Sequence, residues 1–122
     1  MIVLKRVYEE PSSSDGHRVL VDRLWPRGLP KESADFDWEK RVAPSDGLRM
    51  WYGHIPERFD EFARRYRQEL TGAERREGVD HLAQLAQSGT LTLLTATKDP
   101  SHSQAEVLKE VLMERTQRSS TA

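Results

Sequence analysis

TLTLLTAT, residues 90–97, decides the fold. The run is made of β-branched and apolar residues, with no proline and no charge. Such a segment reads as a strand covered on both faces, the usual lot of a central strand in a parallel sheet. On its N-terminal side, Val79, Leu82, Leu85 and Ala86 recur at helical spacing within residues 73–87. Gly89 is expected to close that helix with a left-handed backbone. On its C-terminal side, KDPSHS (98–103) reads as a loop. A last helix is expected from about His102 to Arg115, with Val107, Leu108, Val111 and Leu112 inward. Ser103 and Glu106 have the spacing of a capping box. Helix, central strand, helix in that order predicts an α/β protein: a small, mostly parallel sheet with flanking helices, in a single three-layer domain.

Working outward, residues 2–8 and RVLVD (18–22) read as further strands, separated by the loop EEPSSSDG. LWPRGLPKE (24–32) holds two prolines and a glycine and reads as an ordered loop. Phe36 and Trp38 alternate with Asp35, Asp37 and Glu39, the period of a half-buried edge strand. A short helix is expected after Ser45, whose hydroxyl can cap free N–H groups. Pro56 suits a helix opening, followed by the stripe Phe59, Phe62, Ala63, Tyr66 and Leu70. The domain is set at 1–116, and residues 117–122 read as a frayed tail.

Composition removes several function classes. The 122 residues carry 19 basic and 20 acidic side chains, a formal charge of -1. That balance argues against holding nucleic acid by bulk charge, although a local basic patch remains open. Cysteine is absent, so disulfides, thiolate catalysis and Cys-ligated metals are excluded. No metal centre and no cofactor is expected, because His17, His54, His81 and His102 form no tight ligand motif. The glycines are isolated, which argues against a P-loop or dinucleotide loop. The start MIVLKRVYEE turns acidic after a short apolar run and lacks the form of a secretion signal. With no segment long enough for a membrane span, a cytoplasmic location is the expectation.

Two segments carry candidate chemistry. In DRLWPRG (22–28), Arg23 and Arg27 offer forked N–H donors suited to phosphate or carboxylate, with Asp22 placed to orient a guanidinium. An internal salt-bridge network of the same residues over Trp25 is the alternative. KDPSHS directly follows the expected central strand, where open α/β sheets bind ligands. There Lys98 would add charge, Asp99 would orient the basic groups, and His102 would donate or accept a proton. A helix cap with a solvated lysine explains the same letters. His54 is the second candidate acid or base, since imidazole titrates near neutrality. Arg49, on the short helix, is a further anion contact. The run Arg64, Arg65, Tyr66, Arg67 would suit nucleic acid, but its glutamate neighbours also suit a solvated helix face.

The segments RVLVDRLWPRGLPKE, WEKRVAPSDGLRMWYGH, FARRYRQEL and LTLLTATKDPSHSQAEVL, in this order, resemble the DUF488 family in its YeaO-like branch. The likeness runs from near the N-terminus to the last helix. It implies the fold and carries no assigned activity. The family's recurring polar residues match Asp22, Arg23, Arg27, Arg49, His54, Arg65, Tyr66, Lys98 and Asp99. Many relatives open the last helix with Asn and His, where this chain has His102 and Gln104. Broader relatives can carry a cysteine near the sheet edge; this chain has none, so no cysteine mechanism transfers.

The reading is one crevice built mainly from Arg23, Arg27, His54 and Lys98 around a small phosphorylated or carboxylated ligand. A hydrolase or lyase would use His54 or His102 to move a proton. A non-catalytic binding or regulatory module would show the same charges without a proton-transfer pair. A nucleic-acid accessory protein needs a continuous basic and aromatic surface, and a homodimer would bury Trp25 or Trp51.

Overall fold

The computed structural model describes residues 1–121. Four strands, β1 (Ile2–Arg6), β2 (His17–Leu20), β3 (Asp37–Trp38) and β4 (Leu91–Thr95), form one sheet in the order β1-β4-β2-β3. Every pairing is parallel: Ile2 and His17 both lie opposite Leu91, and Val19 lies opposite Asp37. The apolar run at 90–97 is thus flanked on both sides, and all five residues of β4 are buried. β3 is the edge strand that the 35–39 alternation predicts.

Four helices follow from local signals. Ser45 accepts the Leu48 N–H at 3.2 Å and opens α1 (Asp46–Tyr52). Pro56 begins a 3-10 turn that feeds α2 (Phe59–Glu69), and α3 spans Ala73–Gln87. The final helix, α4, is Gln104–Thr121. It starts later than the sequence suggested because Pro100–His102 form a 3-10 turn. There Ser103 Oγ donates to Pro100 O and accepts the Ala105 N–H. α4 also runs through most of the expected tail; Ala122 lies outside the described residues. Gly89 differs from expectation as well. Ser88 closes α3 by donating its N–H to the Gln84 and Leu85 carbonyls, and Gly89 has φ 159°, outside the left-handed helical region. No helix among the described residues is long and apolar enough to cross a membrane.

The sheet has unlike faces. Leu91 and Leu93 of β4 point into the main core, with Phe62, Tyr66, Leu82, Leu108 and Leu112 contributed by the helices. Leu94 and Leu20 point the other way, against Val7 and a cover of Trp25, Leu29, Phe36 and Trp38. Apart from Trp38, which belongs to β3, that cover is loop. Trp25 stacks on Phe36 at 5.5 Å between centroids, and its indole N–H donates to Leu29 O at 2.6 Å. The Trp38 indole donates to Asp22 O at 2.7 Å. A loop can act as a layer here because its aromatic groups are packed and their polar atoms satisfied.

Where β2 begins, the same loop face carries charge. Asp15, 5% exposed, accepts from Arg18 at 2.5 Å and from Lys5 at 3.1 Å. Its own carbonyl accepts from the buried Thr92 hydroxyl at 2.8 Å. Next to it, Gly16 has φ 63°, and a Cβ there would stand 2.2 Å from Thr90 O. Only glycine lets the chain turn this tightly against β4.

Candidate functional site

Because all four strands run the same way, their C-terminal ends share one rim, and the connections leaving β2 and β4 diverge from it. A cleft of about 380 Å³ opens between the 22–27 loop, α1 and residues 96–97. A second hollow of about 490 Å³ adjoins it, lined by Lys98, Asp99 and His102. Tyr52, His54, Ala96 and Thr97 line both. Asp22, Arg23, Arg27, Arg49 and His54 all face the first hollow. The sequence candidates therefore gather at one end of the sheet, in two connected hollows.

Their partners are not the expected ones. Asp22 contacts neither arginine. Its Oδ2 accepts the Ala96 N–H at 2.8 Å, and its Oδ1 accepts the Gln104 side-chain amide at 2.6 Å. Burial raises the Asp22 pKa, against the opposing pull of the Ala96 N–H, Thr95, Gln104 and His54. Asp46 takes the place expected of Asp22: it pairs with Arg23 Nε at 2.7 Å and Arg49 at 3.5 Å. These are half-exposed pairs of small net worth, so either guanidinium can turn to a ligand oxyanion at little cost. Arg27 accepts the Tyr8 hydroxyl at its carbonyl, 3.0 Å, while its guanidinium has no acidic partner among the described residues. Lys98 is exposed and likewise unpaired.

Asp99 serves its own turn and not Lys98. It accepts the Ser101 hydroxyl at 2.5 Å and holds His102 Nδ1 at 2.7 Å. Those two bonds lower its pKa, the serine contact first. An ionised Asp99 can only accept, so His102 Nδ1 is the donor in that bond. Ser101 Oγ also lies 3.3 Å from His102 Nδ1, but its hydroxyl donates to Asp99 and that nitrogen is engaged by the same carboxylate, so the pair is not set up as nucleophile and free base. The Tyr52 hydroxyl donates to His102 O at 2.5 Å, and burial raises its pKa, as does Asp99. His54 follows Gly53 in an unusual turn: their φ values are 58° and 54°. Among non-glycine residues positive φ is uncommon, and a side chain held there carries strain.

Sequence reasoning missed Asp46, Tyr52, Thr97 and Gln104. Asp46 stands beside the Ser45 cap, in the first turn of α1. The basic run of α2 is locally neutralised: Glu61 binds Arg64 at 2.6 Å and Arg65 at 2.7 Å, and Arg67 pairs with Glu110 and Glu114. Tyr66 is fully buried, donates to Val42 O and offers no face to a base. Trp51 is half-buried under the Arg65 guanidinium, 4.4 Å from its ring centroid. Among the described residues no three His, Asp or Glu side chains gather as metal ligands.

A family model described as the inactive DUF488-N3 subclade matches residues 1–122. The uncharacterised Mycobacterium tuberculosis protein Rv3073c is 46% identical over 108 residues, 88% of this chain and 89% of that protein. The uncharacterised Escherichia coli protein YeaO is 39% identical over 113 residues, 91% of this chain and 96% of that protein. No solved structure matches significantly.

Proposed function

The chain belongs to the DUF488 family, in the subclade described as inactive, and from that premise we propose that it is a non-catalytic module holding a small phosphorylated or carboxylated ligand at the C-terminal rim of its sheet. One observation carries the reading. Arg23, Arg27, Arg49 and Lys98 surround two connected hollows, and among the described residues Arg27 and Lys98 have no acid to neutralise them. Cations left unpaired beside a concave surface are the complement of an oxyanion. The word "inactive" in the subclade's description and the spent Ser101–Asp99–His102 turn favour binding without turnover.

Calorimetric titration with inorganic phosphate tests this. Binding is expected in the wild type, and Arg27→Ala is expected to weaken it about tenfold, the worth of one charge-assisted contact. Binding untouched by both Arg27→Ala and Lys98→Ala would remove the ligand from this rim.

A hydrolase or lyase is the second reading, favoured by the strained backbone at His54. There His54 or His102 would move the proton. The module reading expects no nitrophenol release from p-nitrophenyl phosphate. Release that His54→Ala abolishes would reinstate the enzyme.

A further inference from the structure

Resting on the anion-binding reading of this cleft, we propose that its ligand carries a flat apolar body on the oxyanion, as an aryl phosphate or aryl carboxylate does. Part of the same lining is apolar. Leu24 is 61% exposed and Tyr8 46%, two of the few large apolar side chains that the fold leaves in water, and both line this cleft. Trp25 and Tyr52 continue the same lining inward.

Leu24 does not stray outward on a loose loop. Its neighbour Trp25 is anchored by the indole bond to Leu29 O and by stacking on Phe36, and Arg27 is tied to Tyr8. The backbone on both sides is fixed, so the leucine is displayed in the cleft that Arg23 and Arg27 also line. A bare anion satisfies the arginines and leaves this surface wet. An anion with an attached ring covers it, and removing apolar surface from water is favourable in proportion to its area. The cleft's volume of about 380 Å³ lies within the range of small-molecule sites.

Asp22 sharpens the class. It lines the same cleft, and its two ligated oxygens keep lone-pair capacity beyond the bonds from Ala96 and Gln104. A ring bearing a hydroxyl or N–H group would find its acceptor there.

Calorimetry with phenyl phosphate and inorganic phosphate, on the full chain, tests the inference. Phenyl phosphate is expected to bind at least about tenfold more tightly. Leu24→Ser, an exposed position whose folding is checked by circular dichroism, is expected to narrow that preference to about threefold or less. Arg27→Ala is expected to weaken both probes. Equal affinities that still depend on Arg27 would overturn the apolar body and leave the anion site standing. A preference indifferent to Leu24→Ser and to Tyr8→Ala would overturn the inference too, because the ring would then lie elsewhere. No binding of either probe would overturn the anion site and the inference together.

Discussion

Asp15 and Asp22 flank β2, one before the strand and one after it, and their carboxyls shift in opposite directions. The Ser12 N–H holds Asp15 below the usual carboxylate range, helped by Lys5 and Arg18 against the cost of burial. Burial wins at Asp22, whose closest donors are the neutral Ala96 N–H and Gln104 amide. Both acids accept several hydrogen bonds. What separates them is the weight of burial: it comes first at Asp22, whereas at Asp15 the Ser12 N–H outweighs it with help from Lys5 and Arg18. At the start of the strands the cations are consumed by Asp15. At the far rim, Arg27 and Lys98 have no acidic partner among the described residues, while the half-buried Asp22 forms no salt bridge there. One end is closed electrostatically, and the other keeps cations without an acidic partner among the described residues.

The contrast has consequences of descending size. Asp15→Asn strips the nearer compensating charge from Arg18, whose side chain is 8% exposed, and leaves Asp35 at 3.7 Å. The thermal midpoint is expected to fall by about 10 °C or more. Its lowered pKa also means that Asp15 stabilises the fold above the ordinary aspartate value of about 3.9. That contribution fades as the pH falls through the folded value, and the variant's acid limb should be correspondingly flatter. A midpoint within about 2 °C of wild type would break the contrast.

Asp22→Asn is the smaller change. A raised carboxyl penalises folding above its folded pKa and releases the penalty as acid protonates it. The amide removes that penalty but serves one donor less well. The two effects oppose, so the midpoint should move by no more than about 3 °C. The relief on acidifying from neutrality should vanish in the variant's pH–stability curve. A loss as large as that of Asp15→Asn would make the rim as structural as the closed end.

His54→Gly should have the smallest effect, and of opposite sign. With φ at 58°, glycine relieves steric strain while adding entropy to the unfolded chain. Urea denaturation should report a gain of about 0.5 kcal/mol. A loss would show that the imidazole's contact with Tyr52, at 6.0 Å between ring centroids, holds the turn.

The sequence made legible whatever was local. The apolar run 90–97, the alternation at 35–39 and the Ser45 cap each announce an element within a few residues. The candidate cations were found for a related reason: the ends of parallel strands must share a rim, so loops that follow strands converge. Pairings were not legible. Arg23 meets Asp46 only because α1 packs beside the 22–27 loop, and Asp22 meets Gln104 only because α4 starts where β4 ends. Such partners depend on how elements dock, which no spacing encodes. Gly89 marks a subtler limit, since α3 closes on the Ser88 N–H, donated to the Gln84 and Leu85 carbonyls, before the glycine's freedom is needed.

The last strand in the chain is the middle of the sheet. β1 and β2 are consecutive in sequence yet never pair, because β4 lies between them. A ribosome therefore exposes most of the protein before its sheet can close. Until Thr95 emerges, the available strand pairing is the two-residue match of β2 with β3. Such distant pairing is slow to find, as the loop entropy precedes the contacts that reward it. The nascent chain must wait for its keystone, and a translation product that stops short of Leu91 has edges and no sheet.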